Sequence, residues 1–156
     1  MAASAKVDTN RPYLRSGLAL AGANTWLTGG TPPPEAEDGL LTVEDVLSMD
    51  LSATELVVLS ACETGLGDIQ VGEGVFGLRR YFILAGAKTV VMSLWSVSDK
   101  QTQELMSEFY HYPLNGWPRV EALREAQLMM RAKYAYPYYW GAFIGQGDPS
   151  PLPSRT

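Results

Sequence analysis

The stretch Leu56-Val57-Val58-Leu59-Ser60-Ala61-Cys62-Glu63-Thr64-Gly65 decides how the rest of the sequence is interpreted. Its first four residues are apolar and stand between polar flanks, which predicts a strand buried on both faces, as inside a parallel sheet. Small residues, the only cysteine of the chain and a glycine follow. Because open α/β sheets bind ligands beyond the carboxyl ends of their strands, Cys62 stands where a reactive group would be useful.

The rest of the chain alternates between strand-like and helix-like patterns. Thr42 followed by Asp45 approximates a capping box, which predicts a short helix with Val43, Val46 and Leu47 on one face. Other strands are predicted around residues 18–20, 89–95 and 142–144, and other helices over residues 75–84, after Ser98 with the face Leu105, Met106 and Phe109, and after Pro118 with the stripe Val120, Leu123, Gln127 and Met130. This alternation predicts an α/β fold with a mainly parallel sheet and helices on both faces.

Composition and charge exclude several classes of protein. A chain of 156 residues is long enough for one domain with its own core. The net charge of −5 argues against a basic surface that follows phosphates, so no nucleic-acid partner is expected. No apolar run approaches the roughly 20 residues of a membrane-spanning helix, and the N-terminus lacks the apolar core of a signal peptide. A single cysteine excludes an internal disulfide and favours a reducing, cytoplasmic setting.

Neither a metal ion nor another cofactor is expected. With one cysteine and one histidine, the chain has no cluster of zinc-type metal ligands. Residues 72–77 fit the pattern G-x-G-x-x-G, but a dinucleotide site needs that pattern directly after a strand. Here Cys62 and nine further residues come first, and no acidic residue ends the next strand. A nucleotide-binding module is therefore the weakest of the functional hypotheses.

Ser60-Ala61-Cys62-Glu63-Thr64-Gly65 resembles a motif of the CHAT domain family, caspase-like cysteine peptidase domains that are often attached to tetratricopeptide repeats. Other stretches resemble the same family in the family's order. They are residues 14–24, 73–80, 93–99, 122–127, 137–143 and 147–149. The resemblance covers about residues 11–149 and is specific because separated motifs agree. It divides the chain into a disordered N-terminus (residues 1–10), a partial CHAT domain (11–149) and a disordered tail (150–156).

The resemblance implies a caspase-like three-layer sandwich and a cysteine–histidine dyad with Cys62 as the nucleophile. The family's histidine lies upstream of the motif at residues 14–24, whereas this chain has no histidine before Cys62. The chain is therefore expected to be a CHAT domain truncated on its N-terminal side. The resemblance also implies an oxyanion hole made by the N–H of Cys62 and by a glycine N–H beside the histidine, of which only the Cys62 half is present.

The missing histidine matters because a cysteine attacks a carbonyl as the thiolate, and a thiol with a pKa near ~8.5 is mostly protonated at neutral pH. Peptidases correct this with an imidazole within hydrogen-bond reach. The one histidine, His111, lies at the end of a predicted helix, where a cation is stabilised by the helix dipole. It does not match the family's catalytic position, so we do not assign it as the base.

The segment that follows the second buried strand contains three candidate residues for substrate binding. The resemblance places Trp95, Val97 and Asp99 in a segment that lines the substrate groove and contacts an extended peptide by strand addition. The alternative is that Trp95 belongs to the core and Asp99 is an N-cap. Glu63 and Asp68 could favour a basic side chain before the scissile bond, but we prefer to interpret them as part of a solvated acidic loop.

Two functional hypotheses follow. The first is a partial CHAT domain, related to cysteine endopeptidases, that carries Cys62 but lacks its general base and is inactive alone. The second is a non-catalytic protein-interaction module or regulatory pseudo-peptidase that binds a partner through an exposed sheet edge and can form a homodimer. The expected partners are a peptide or protein substrate, a chain that supplies the missing half, or a tetratricopeptide-repeat protein. Neither nucleic acid nor a membrane is expected.

Overall fold

The computed structural model describes residues 17–31, 33, 38–60 and 74–154. Cys62, the first two residues of the glycine pattern at residues 72–77, and residues 1–10 lie outside this described part. The described residues fall into two units, one formed by residues 17–50 and 74–85 and the other by residues 51–60 and 86–154. Each unit contains both strands and helices, so the chain has the mixed composition of an α/β protein.

The first unit holds two strands and three helices. They are β1 (Gly17–Ala19), α1 (Ala23–Leu27), β2 (Leu40–Thr42), α2 (Val43–Ser48) and α3 (Gly74–Leu84). β1 and β2 pair antiparallel, with Gly17 opposite Thr42. A Cβ atom at Gly17 would lie 2.8 Å from the carbonyl oxygen of Leu41, so this close pairing requires a glycine.

The predicted capping box at the start of α2 is confirmed. Thr42 Oγ1 accepts a hydrogen bond from the N–H of Asp45 at 3.3 Å, and the Asp45 carboxylate accepts one from the N–H of Thr42 at 2.7 Å. Val43 and Val46 are buried as predicted. The inclusion of Leu47 in this face is wrong, because Leu47 is 48% exposed.

The second unit is built on a three-stranded sheet with β4 in the middle. Its elements are β3 (Val57–Leu59), β4 (Thr89–Ser93), α4 (Asp99–Leu114), α5 (Arg119–Lys133), a 3-10 turn (Pro137–Tyr139) and β5 (Phe143–Gly147). β3 runs parallel to β4, whereas β5 runs antiparallel to it. All five residues of β4 are buried, which confirms the second strand predicted from the sequence.

Two expectations about the sheet are corrected. Of the three described strand pairings one is parallel and two are antiparallel, so the described strands do not form the mainly parallel sheet that was predicted. β3 was predicted to be buried on both faces, but its three residues are only partly buried. The reason is its place at the end of the described strand order, where no described strand covers its second edge.

Helices α4 and α5 pack on each other and cover the core of the second unit. Leu105 and Phe109 of α4 are fully buried, as the helical spacing predicts. On α5 the predicted stripe is only partly right, because Leu123 and Met130 are buried whereas Val120 is 49% exposed. The buried face of α5 is displaced from the predicted stripe, because Ala122 and Ala126 are buried on it.

Candidate functional site

The candidate site lies where the chain leaves the sheet of the second unit. Leu59 of β3 is paired with Met92 of β4 in the parallel register. Both strands therefore end at the same edge of the sheet. Ser60 begins the segment that follows β3, and Leu94 begins the segment that follows β4. The sequence places Cys62 three residues after β3, outside the described residues.

Trp95 is anchored at this edge without being part of the core. Its side chain is 37% exposed, and its indole N–H donates a hydrogen bond of 3.1 Å to the carbonyl oxygen of Tyr138. The backbone N–H of Leu94 donates to the carbonyl oxygen of Ala142 at 2.9 Å. The segment after β4 is thus tied to the chain that enters β5, and part of the indole surface stays accessible.

Val97 and Asp99 have different environments. Val97 is partly buried and packs against the hydrophobic core of the second unit. Asp99 is exposed and is the first residue of α4, whereas the N-cap is Ser98, which makes no side-chain capping bond. Asp99 is therefore not the N-cap that the alternative interpretation proposed. Its carboxylate lies in the first turn, where negative charge is favourable.

The tyrosine-rich turn beside Trp95 was not singled out as part of the site from the sequence. It is held at both ends, because Trp140 Nε1–H donates to the carbonyl oxygen of Tyr134 at 3.1 Å, and the Gln127 amide donates to the carbonyl oxygens of Trp140 and Phe143. Tyr136 and Tyr138 are left exposed. The density of aromatic residues over residues 134–140 is the only sequence signal that could have indicated this surface.

The first residue of the turn also closes a small charged cluster. The Tyr134 hydroxyl donates to Glu104 of α4 at 3.0 Å, and Lys133 Nζ donates to the same carboxylate at 2.6 Å. The hydrogen bond from Lys133 lowers the pKa of Glu104, and the hydrogen bond from Tyr134 lowers it further. The same bond to Glu104 raises the pKa of Lys133.

We expect this cluster to make the stability depend on acid pH. A carboxyl whose pKa is lower in the folded chain stabilises the fold above its unfolded pKa, about 4.3 for glutamate, and this stability is lost as the pH falls through the folded value. Glu104→Gln should therefore weaken the decline of the melting temperature between neutral and acid pH. Thermal unfolding at a series of pH values measures this, with Glu121→Gln, an exposed residue of α5, as the control. Identical pH profiles for the Glu104 variant and the unaltered chain would contradict the expectation.

At the opposite end of the sheet a buried arginine connects three segments. Arg119, the first residue of α5, is 2% exposed and forms an ion pair with Glu55, which precedes β3. It also pairs with Asp148 at 3.3 Å and donates to Thr89 Oγ1, at the start of β4, at 3.3 Å. This arrangement is structural rather than catalytic, since it lies away from the ends of β3 and β4 that lead to Cys62 and Trp95.

Asp148, the member of this cluster that follows β5, is held by the backbone of Ser150. The N–H of Ser150 donates to its carboxylate at 2.8 Å, which lowers the pKa of Asp148, and the nearby Arg119 lowers it further. The chain beyond it returns to the start of α5, where Pro151 and Pro118 form an isolated bridge. The sequence did not indicate a role for Arg119, because a lone arginine after a proline has no distinctive pattern.

His111 lies far from the candidate site. It is exposed in the last turn of α4, as the sequence predicts, and its ring meets Tyr112 edge-on at 5.7 Å. Twelve residues separate it from Asp99, the start of the helix, which corresponds to about 18 Å along the helix axis. His111 is thus at the end of α4 that points away from Trp95.

Within the described residues, no group of three or more histidine, cysteine, aspartate or glutamate side chains could hold a metal ion. None of the helices in the described part of the chain is long and apolar enough to cross a membrane.

Comparison with known proteins gives a consistent result. A family model described as CHAT domain matches residues 1–148. Tetratricopeptide repeat protein 28 of Homo sapiens is 32% identical over 125 residues, which are 79% of this chain and 5% of that protein. Tetratricopeptide repeat protein 28 of Mus musculus is similar to the same extent. The chain spans only about one twentieth of the length of these curated relatives.

Proposed function

Because this chain belongs to the CHAT domain family, we propose that it is part of a caspase-like cysteine peptidase domain in which Cys62 is the nucleophile. The observation that carries this proposal is the parallel pairing of β3 with β4. The segment leading to Cys62 and the segment carrying Trp95 leave the same edge of the sheet, which is where α/β folds bind their ligands. The three-layer caspase-like sandwich is part of the same proposal.

The base that activates Cys62 would come from outside these 156 residues. A thiol needs an imidazole within hydrogen-bond reach to react as a thiolate at neutral pH. The only histidine is His111, and about 18 Å of helix separates it from the start of α4 near the site. We therefore expect this chain by itself to be inactive as a peptidase, whichever polypeptide segment supplies the histidine.

The substrate would be an extended peptide lying against Trp95 and the tyrosine-rich turn. The hydrogen bond between the Trp95 indole and Tyr138 fixes the ring without covering it. Aromatic side chains offer large contact areas at low entropic cost, which suits recognition of a peptide. Val97 would keep the segment on the core, and Asp99 would present a carboxylate beside it.

Alkylation of Cys62 tests the proposal, because the chain has no other cysteine to react. With iodoacetamide, the rate should rise with pH as for an ordinary thiol, with a midpoint near ~8.5. A peptidyl chloromethyl ketone should react faster than iodoacetamide if the aromatic surface binds the peptide. Trp95→Ala should lower the peptidyl rate by about tenfold and leave the iodoacetamide rate unchanged, since one aromatic contact is removed.

The control for this experiment is Trp117→Ala, which removes a tryptophan of similar exposure from the connection between α4 and α5. It should alter neither rate. A pH midpoint of the iodoacetamide rate well below that of a free thiol would contradict the proposal that this chain lacks the base. Equal effects of the two tryptophan substitutions would contradict the peptide site. Cys62→Ser must abolish labelling in every case.

A non-catalytic interaction module is the second candidate. It is favoured by the distance of the single histidine from the site, and by the name of the relatives, which are tetratricopeptide repeat proteins. In this alternative the site binds a peptide or protein without cleaving it, and the partner is another chain, a tetratricopeptide-repeat protein or a second copy. Peptide binding that is unaffected by Cys62→Ser, without labelling by a peptidyl electrophile, would support it.

A further inference from the structure

The outer edge of β5 presents backbone groups that no described strand pairs. β5 pairs with β4 on one side, and no described strand lies on its other side. Hydrogen bonds join Leu94 to Ala142 and Asp148 to Lys88, just outside the two ends of the β4–β5 pairing. Continued along the register between them, this pattern directs the N–H and C=O groups of the even-numbered residues of β5 toward β4. In an antiparallel pair the residues between them point their N–H and C=O groups away from the partner. Gly145 and Gly147 therefore direct these groups outward.

A groove lies beside this edge, between the sheet and α5. Its volume is about 310 Å³, and its apolar lining includes Val91, Leu123 and Phe143. Gly145 lies on the same face of the sheet as Val91, its partner in the register. A Cβ at Gly145 would lie 3.8 Å from Leu123 Cδ2 and 4.0 Å from Val91 Cγ2, which is ordinary contact. The space exists because β5 carries no side chain at this point.

Most polar groups that line the groove are engaged with other protein groups. Gln127 donates to the carbonyl oxygens of Trp140 and Phe143, and Arg124 pairs with Glu125 at 2.9 Å. Arg119 pairs with two carboxylates, although its Nε–H has no partner among the described residues. A charged occupant would gain little from such a lining. The groove therefore suits an uncharged aliphatic side chain.

We propose that β5 accepts an extended segment of a partner protein as an additional strand, with a large aliphatic side chain placed over Gly145 in the groove. An added strand satisfies the outward groups of Gly145 and Gly147, and its alternate side chains face α5. A second copy of this chain fits less well. If two β5 strands paired antiparallel about Gly145, glycine would face glycine and both grooves would stay empty. This surface is separate from the Cys62 site, on the side of β4 opposite β3.

The test uses the full 156-residue chain and a fluorescent peptide, Lys-Thr-Thr-Leu-Thr-Thr-Lys, blocked at both ends. Binding measured by anisotropy should weaken by about tenfold to hundredfold when the central leucine is replaced by glycine, as expected for one buried aliphatic side chain. Gly145→Val should weaken it to a similar degree, because the valine side chain occupies the groove, and its Cβ meets only ordinary contacts.

Gln146→Val is the matched control, since this neighbouring side chain faces the other side of the sheet. It should leave the affinity unchanged. N-methylation of every second peptide bond should abolish binding when the methylated groups face β5. It should have no effect when they face away, because only one edge of the peptide pairs with β5. Absence of binding at millimolar peptide, or equal effects of the two valine substitutions, would overturn the proposal. So would dimerisation of the free chain that Gly145→Val abolishes, because a second copy would then occupy the edge.

Discussion

Arg119→Ala is expected to lower the free energy of unfolding by about 3–5 kcal/mol, the range for breaking a buried ion pair by removing one partner. The guanidinium group is almost fully buried and donates to Glu55, Thr89 and Asp148. Its removal leaves a cavity and detaches three segments from one another. Urea unfolding followed by circular dichroism measures the loss.

The same helix provides a matched control. Arg124 is also on α5 and also pairs with a carboxylate, but 68% of its side chain is exposed. Arg124→Ala should cost less than about 1 kcal/mol, because surface ion pairs contribute little. Arg119→Lys should lower the free energy of unfolding by more than Arg124→Ala does, since an ammonium group cannot reach three acceptors in a fork. Similar losses for the two alanine variants would show that Arg119 does not connect the segments as described.

Gly147→Ala is expected to destabilise the chain by about 3 kcal/mol or more, from a left-handed backbone conformation and an unrelieved steric overlap. Gly147 has a φ of +112°, which side-chain-bearing residues rarely adopt. A Cβ there would overlap the carbonyl oxygen of Lys88 and lie 3.0 Å from Thr89 Cα. Both neighbours belong to the backbone at the start of β4, so neither can move away easily.

Gly145→Ala is the control for this substitution, in the same strand and two residues away. Its φ is not in the left-handed region, and its Cβ would meet only Leu123 and Val91 at ordinary contact distance. We expect a change within about 1 kcal/mol, of either sign, since alanine also restricts the unfolded chain. Thermal and urea unfolding of the two variants should separate clearly. If Gly147→Ala unfolds like the unaltered chain, the conformation assigned to this residue is wrong.

The roles of Arg119 and Gly147 depend on contacts with distant parts of the chain. The motif Gly147-Asp148-Pro149 was recognised by resemblance, but its physical role was not. The structure explains the glycine through its approach to Lys88 and the aspartate through its contacts with Arg119 and Ser150. Arg119 lies 29 residues before Asp148 in the sequence. No local pattern could indicate a pairing over that separation.

Local patterns by themselves determined the elements whose signals lie within a few residues. The capping box at Thr42, the apolar run of β4 and the spacing of Leu105 and Phe109 all gave correct predictions, because each signal acts through neighbouring turns or alternating faces. The motif around Cys62 likewise indicated the family that the comparisons support.

Tertiary structure alone decided the direction of β5, the partial burial of β3 and the partial exposure of Trp95. Strand direction and burial depend on which distant segment lies alongside, and a strand's own sequence is compatible with either neighbour. The same reason applies to Arg119 and to the groove beside Gly145. Both arise where residues far apart in the chain meet, so their chemistry exists only in the folded molecule.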